Sequence, residues 1–480
     1  MGNQIQKRDL IRVFVKGGII SPGDLLKIVL TAEELGASHV HFGSRQDILF
    51  PVAEKKRDTL ETTFRSIQTQ YDSEEEGFQN VVSSYTALDV MASTSWLAPH
   101  MYHYILDTFE YQPSIKINIV DPAQSMVPLF TGQVNFVASE NENYWYCYIR
   151  RSDQDNGLWK CPKLIYSYDL VKLAHYIEQQ QLLDCADNWD ILWEKIEATV
   201  QLNTIRITHD LKMPSDPFPY YEGMNRMNDG KYWLGLYWRN NRYDISFLKV
   251  MCLLCQETKI GKISLTPWKS FLIKGIDRSE RITWEKLLGK FGLNVRHSSL
   301  ELNWHLPVLN EDALSLKNFL VRALDKQDIS TYGLTFTVKS GPQILFTTVV
   351  IERNEQDENW MNDTYNILYA KDFNPNNAEY LYYAKDVRKE ILPALMIEVS
   401  RMYYEQMDTS GAIFNKDNAD EKKVKLIYQC PNCLTVYDEQ FGDPEQQVKK
   451  GTLFMMLPDD YSCSVCGSPK STFIERAGEN

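Results

Sequence analysis

Two stretches of this chain, about 225 residues apart, follow the same order of elements, and that repetition limits the fold more than any other feature. Residues 20–52 read ISPGDLLKIVLTAEELGASHVHFGSRQDILFPV, and residues 245–276 read ISFLKVMCLLCQETKIGKISLTPWKSFLIKGI. Each opens on Ile-Ser and runs on as an apolar helical pattern, Leu25, Ile28 and Val29 in one, Phe247, Val250 and Met251 in the other. Each then reaches a glycine, Gly36 or Gly261, and closes as strand, polar corner and second apolar strand. Each copy leads into a longer α/β segment. The first holds VVSSYTALDVMA, a helix near 97–110 and a strand at 116–120; the second holds SSLELNWHLPVL, a helix near 312–325 and a strand at 334–338. A Tyr-rich helical segment is expected at 376–407, and DTSGAIFNKDNADEKK (408–423) has the composition of a linker. The resulting expectation is an α+β chain: two pseudo-repeated halves at 1–210 and 211–407, a linker at 408–423, and a small metal-bound module at 424–480.

Composition narrows the function classes. Of 480 residues, 51 are basic and 64 acidic, a net charge of −13, with no basic block, which argues against nucleic acid as a partner. No apolar run approaches the ~18 residues of a membrane span, and the opening MGNQIQKRDLIRVFVKGG turns polar before a signal-peptide core could form. The expected location is cytoplasmic, with no membrane partner. No phosphate-binding glycine loop or nucleophile elbow occurs, so nucleotide and hydrolase chemistry find no support.

The nine cysteines are odd in number and clumped, which in a large cytosolic chain points to metal or redox chemistry rather than a disulfide framework. Cys430-Pro-Asn-Cys433 and Cys463-Ser-Val-Cys466 are two C-x-x-C knuckles. Such a turn aims two thiolates at one point, and two turns make a tetrahedral S₄ set suited to zinc or to one iron. The gap of 29 residues between them is longer than that of a plain zinc ribbon.

The surroundings of the knuckles resemble a rubredoxin. The pattern matches at Tyr428, Cys430, Cys433, Tyr437, Asp438, Gly442, Asp443, Gly451, Thr452, Phe454, Leu457, Pro458, Asp459, Asp460, Cys463, Cys466, Gly467, Lys470 and Phe473. The resemblance implies one iron, cycling between ferric and ferrous, held by Cys430, Cys433, Cys463 and Cys466. It also implies an aromatic core of Tyr428, Tyr437, Tyr461 and Phe473. Leu434 stands where the family carries glycine after the first knuckle, a position that wants φ > 0; Ser464 replaces the usual proline and Tyr461 the usual tryptophan. Residues 418–480 carry ten acidic and seven basic side chains, which suits a basic docking surface on a redox partner.

The repeated part resembles the sulfite/nitrite reductase superfamily, in which two ferredoxin-like half-domains and two α/β lobes repeat about a pseudo-twofold axis around siroheme and an iron–sulfur cluster. GSRQDILF is similar to that family's Thr-x-Arg-Gln turn, with Arg45 and Gln46 matching. The resemblance makes Arg45 the candidate for an anion or vestigial siroheme site. The family's four cluster cysteines have no counterpart: none lies between Cys255 and Cys430, and Ser340-Gly341-Pro342-Gln343 stands in place of Gly-Cys-Pro-Asn. Neither siroheme nor a four-iron cluster is therefore expected.

Other candidates have plainer readings. Cys252 and Cys255 lie in an apolar helix and read as core; Cys147, Cys161 and Cys185 show no ligand spacing. His39 and His41 share a strand face, His297 and His305 lack a third ligand, Asp229-Gly230 in the aromatic stretch 220–238 reads as a hairpin turn, and the acidic run at 73–77 reads as a solvated loop. The leading expectation is an electron carrier without catalysis of its own, its iron module tethered to a docking scaffold. A reductase donor and an acceptor, by analogy in nitrite or sulfite assimilation, would be the partners. The alternatives are an oxidoreductase whose scaffold still binds a tetrapyrrole or anion, and a non-redox interaction protein with structural zinc.

Overall fold

The computed structural model describes residues 10–73, 77–150, 157–185, 189–293, 295, 301–339, 341, 343–354, 363–410, 426–439 and 441–477. The first unit comprises β1 (Leu10–Val13), β2 (Ile19–Ile20), α1 (Pro22–Glu34), β3 (His39–Phe42), β4 (Ile48–Pro51), α2 (Leu60–Ile67) and β5 (Tyr71–Asp72). A first α/β lobe follows: β6 (Val82–Ser83), α3 (Pro99–Asp107), β7 (Ile117–Val120), β8 (Val134–Ala138), β9 (Tyr144–Ile149), β10 (Trp159–Lys160), β11 (Lys163–Tyr166), α4 (Leu170–Gln179), α5 (Leu182–Cys185), α6 (Trp189–Thr199) and β12 (Thr204–Arg206). The second unit is β13 (Gly223–Arg226), β14 (Tyr232–Leu236), β15 (Tyr243–Asp244), α7 (Ile245–Glu257), β16 (Ile263–Leu265), β17 (Phe271–Ile276) and α8 (Arg281–Lys290). The second lobe is β18 (Trp304–His305), α9 (Glu311–Lys326), β19 (Phe336–Lys339), β20 (Val349–Asn354), β21 (Thr364–Ala370), β22 (Tyr380–Arg388) and α10 (Leu392–Ser410). The C-terminal module contributes β23 (Leu426–Gln429), β24 (Val436–Tyr437) and β25 (Ile474–Ala477).

The repeat is real, and it is built by exchange. One sheet runs β15-β3-β4-β1-β5 and the other β13-β14-β17-β16-β2, so each copy lends one short strand to the other's sheet. Val40 pairs with Tyr243, and Ile263 pairs with Ile20. α1 and α7 share one core with the apolar faces of both sheets. Both helices carry an N-cap: Ser21 Oγ accepts from Asp24 N, and Asp244 Oδ1 accepts from Phe247 N.

The two copies match at one constant spacing. Gly17 and Gly18 correspond to Asn240 and Asn241, Ser21 to Asp244, Gly36 to Lys259, and Gln46 to Lys269, and all but the capping pair share positive φ. The spacing is shorter than the alignment of Ile20-Ser21 on Ile245-Ser246. It makes Lys259 (φ 59°), not Gly261, the left-handed residue that ends α7. The hydrogen bonds decide it: Ala37 N donates to Ala32 O, and Ile260 N to Cys255 O.

The lobes repeat as well. The paths β6-β7-β8-β9-β11-β12 and β18-β19-β20-β21-β22 each begin with parallel pairs and continue antiparallel. The helices expected near 97–110 and 312–325 are α3 and α9. The expected helix over 376–407 is corrected: Tyr380–Arg388 is a strand paired along β21, and the helix spans only Leu392–Ser410. Its Tyr-Leu-Tyr-Tyr run suits a pleated, half-exposed edge better than a helix. The Asp229-Gly230 hairpin joins β13 to β14, with Gly230 at φ 83°. His297, the acidic run at 74–76 and most of the expected linker (411–423) lie outside the described residues. Among the described residues, no helix is long and apolar enough to cross a membrane.

Candidate metal centre

The module's small sheet, β24-β23-β25, and one aromatic cluster set the positions of the two knuckles. Phe454 is the hub. It stacks on Tyr428 at 4.0 Å between ring centres, with Phe473 at 5.3 Å, Tyr437 at 5.5 Å and Tyr461 at 6.4 Å. Tyr461 keeps a polar handle: its hydroxyl donates to Asp443 Oδ2 at 2.8 Å. The sequence reading of the core named the four rings around Phe454 but not Phe454 itself.

Each knuckle is a tight turn closed the same way. Leu434 N donates to Cys430 O and Gly467 N to Cys463 O, while Cys430 N donates to Thr435 O and Cys463 N to Ser468 O. Leu434 (φ 63°) and Gly467 (φ 72°) occupy the equivalent left-handed position after the two knuckles. The expectation that Leu434 needs φ > 0 is met, and its side chain is left 63% exposed. The four Sγ atoms of Cys430, Cys433, Cys463 and Cys466 lie within 4.8 Å of one another. Cys430 Sγ is 3.4 Å from Cys466 Sγ, and Cys433 Sγ is 3.4 Å from Cys463 Sγ.

Two hydroxyls that sequence reasoning missed face the sulfurs: Thr435 Oγ1 at 3.2 Å from Cys433 and Ser468 Oγ at 3.0 Å from Cys466. Their signal was present as a Thr or Ser two residues after each second cysteine. Burial works against the Cys430 thiolate, but the N–H groups of Cys433 and Asn432 and the Ser468 hydroxyl outweigh it and hold that thiol down at about 6. At Cys463 burial prevails and pushes the thiol up to about 12. A cation at the centre of the four sulfurs favours the thiolate form of all of them. Among the described residues, this is the only group of three or more His, Cys, Asp or Glu able to share a metal.

The second knuckle rests on the scaffold. Arg226 Nη1, at the end of β13, donates to Ser464 O at 3.1 Å. A Cβ on Gly467 would come within 3.2 Å of Arg278 Nη2.

The remaining candidates are dispersed. Cys252 and Cys255 are buried in α7, and burial pushes both thiols up; Cys147 and Cys161 are buried in the first lobe with thiols raised for the same reason. His39 Nδ1 meets Ser38 Oγ, whereas His41 Nδ1 meets the Asn241 carbonyl at 2.6 Å, so the two rings do not converge. Arg45 sits in the turn between β3 and β4. It donates to Asn118 Oδ1 at 2.7 Å and to the carbonyls of Asn80, Ile117 and Thr131. Gln46 beside it is fully buried; it bridges Ser83, Thr86 and the Leu265 carbonyl of the other copy.

Residues 427–473 match the rubredoxin family model. Over 48 residues the chain is 45% identical to Rubredoxin 4 of Rhodococcus sp., covering 80% of that protein, and 41% identical to Rubredoxin-2 of Chlorobaculum tepidum, covering 92%. Through this domain the chain belongs to the rubredoxin family. The rubredoxin domain is also 48% identical over 46 residues to the High molecular weight rubredoxin of Moorella thermoacetica, of which it spans 20%. All these matches involve about a tenth of the present chain. Residues 3–65 match the nitrite/sulfite reductase ferredoxin-like half domain. The scaffold has the fold of the Mycobacterium tuberculosis NirA protein, with a TM-score of 0.59 and 14% identity over 82% of this chain and 81% of that one.

Proposed function

We propose that this protein is a one-electron carrier, a rubredoxin domain fused to a reductase-like docking scaffold that has no catalysis of its own. Cys430, Cys433, Cys463 and Cys466 would hold one iron, which when bound takes up and gives back a single electron between its ferrous and ferric states. The observation that carries this reading is the convergence of four Sγ atoms within 4.8 Å inside the rubredoxin aromatic frame. An S₄ set accepts zinc or iron; the rubredoxin relatives favour iron. The aromatic cluster is packed and hydrogen-bonded, so the thiolates are held in place whichever charge the site carries.

The scaffold is read as lacking ligands for siroheme and for a four-iron cluster. No cysteine lies at 256–429. Arg45 and Gln46, the residues most like the reductase motif, are engaged by protein acceptors, and Arg45 would have to leave them to meet an anion. The proposed limits remain 1–210 and 211–407 for the halves and 424–480 for the module; the linker expected at 408–423 is shortened to 411–423, because α10 continues to Ser410. The proposed partners are a reductase that donates and a soluble acceptor, in the cytoplasm.

One observation favours a second reading, an oxidoreductase whose scaffold binds a tetrapyrrole or anion. A cleft of about 490 Å³ opens between the first lobe, the second unit and the second lobe, and Phe130, Arg150, Phe218, Trp268, Phe346 and Tyr403 line it. An absorption spectrum with metal analysis separates the readings. A red protein that carries one iron and bleaches on reduction supports the carrier; retained siroheme bands support the enzyme; a colourless protein with stoichiometric zinc overturns both.

A further inference from the structure

The two knuckles are near-equivalents in geometry and opposites in surroundings. After the first stands Leu434, its side chain directed to solvent; after the second stands Gly467, where an added Cβ would press on Arg278. Both positions have positive φ, 63° and 72°, so conformation alone does not explain why one is leucine and the other glycine. The two turns differ in contact: the second knuckle is the one laid against the scaffold. Two cations meet it there. Arg226 donates to Ser464 O, between the two cysteines of the knuckle, and Arg278 lies beside the residue that follows Cys466. Arg226 also feels the Glu445 carboxylate, which lies next to Asp443 on the module.

We propose that Arg226 and Arg278 form a cradle that holds the rubredoxin domain more tightly when its metal site is reduced. The proposal rests on the iron reading above. Four thiolates around ferric iron carry a net charge of −1. One electron from a donor converts ferric to ferrous without a proton, and the site then carries −2. Two guanidinium groups next to that site favour the more negative state, so docking and reduction support each other reciprocally. The scaffold does not enclose the knuckle: Val465, in its middle, stays 47% exposed. The scaffold therefore receives the reduced module and loosens its hold on the oxidised one, while the Leu434 side of the site faces outward throughout.

The test uses the full chain loaded with iron. At low salt, Arg226→Gln with Arg278→Gln should weaken reduced docking about tenfold more than oxidised docking, which lowers the midpoint potential by about 59 mV for a one-electron couple. The difference between the wild-type and variant potentials should shrink as salt is raised, because screening weakens the arginine contribution. Amide exchange at residues 462–468 should be slower in the dithionite-reduced wild type than in the oxidised protein. The visible spectrum of the variant checks that its metal site is intact. A red, reducible variant with the wild-type potential, or equal exchange in both oxidation states, overturns the cradle and leaves the iron reading standing. A protein that never binds iron removes the reading beneath it instead.

Discussion

Four cysteines converge at the candidate metal centre, and the residue after each knuckle sets the strain of its turn. Cys430→Ser or Cys466→Ser should abolish stoichiometric iron binding and unfold the module, because a domain this small folds on its metal; iron analysis and loss of the visible bands check this, and full iron retention in both variants would sink the assignment. Leu434 carries a left-handed backbone at φ 63°, a conformation that disfavours a leucine by roughly 1–2 kcal/mol. Its side chain is largely exposed, so Leu434→Gly loses little packing, and part of the gain is offset by the freedom of glycine in the unfolded chain. The variant should release iron to a chelator more slowly, by a stability gain of about 1 kcal/mol or less. Gly467→Leu, the reverse exchange at the equivalent turn, should weaken the site, since it adds the same strain and obliges the Arg278 guanidinium to move aside. The convergence of the four cysteines was legible in the sequence, because knuckle spacing dictates geometry locally. Arg226 and Arg278 were not. They are distant in sequence, and only packing brings them to the knuckle.

At the scale of elements, the helices and strands of each copy could be read from periodicity, yet their pairing could not. β2 and β15 are two residues each and find their partners in the opposite copy, which no local pattern encodes. Lys259 took a position that sequence reasoning gave to Gly261, because a lysine can be forced to positive φ where the helix end is fixed by the strand after it. The exchange is sealed by His41 on β3, which is buried and holds the Asn241 carbonyl beside β15. Burial is the main cause that lowers its pKa to about 4. An unfolded histidine titrates near 6.5, so between those values the unfolded chain binds the extra proton. Stability should therefore fall as pH drops from about 6.5 toward about 4, by up to about 3 kcal/mol from this group. His305, held down by burial and by Lys269, acts in the same direction. Urea unfolding at pH 7 and pH 5 should show the drop, and His41→Gln should make it smaller; an unchanged drop would place the pH dependence elsewhere. The caps give a second check. Ser21→Ala and Asp244→Ala should each lower the unfolding free energy of the scaffold by about 1 kcal/mol. Because α1 and α7 pack together, the double variant measures their coupling as any departure from the sum.

On the carrier reading proposed above, the whole molecule poses the question of why a rubredoxin domain should be joined to a scaffold several times its size. On the reading proposed above, residues 1–407 expressed alone should fold around the exchanged sheets and carry no four-iron signal, the motivation being that no cysteine lies at 256–407; such a signal would mean that ligands come from an unforeseen place. The join itself then has a kinetic meaning. A coil of the length of residues 411–423 would reach roughly 18–22 Å, enough to lift the second knuckle from Arg226 and Arg278 and turn the metal site across one face of the second half, but not around the molecule. Within that radius the module meets a partner bound to the scaffold at a mM-range effective concentration. The light contact at Ser464 and Gly467 fits this use, because a carrier held too firmly could not exchange partners. Cutting the chain between 411 and 423 should leave both parts folded and slow electron delivery to an acceptor at micromolar protein, since the severed module must find the scaffold by diffusion. Adding about millimolar free module should restore the rate. Rates measured before and after cleavage at micromolar protein decide the matter: if they are equal, tethering contributes nothing to delivery, and the fusion serves folding or joint expression alone.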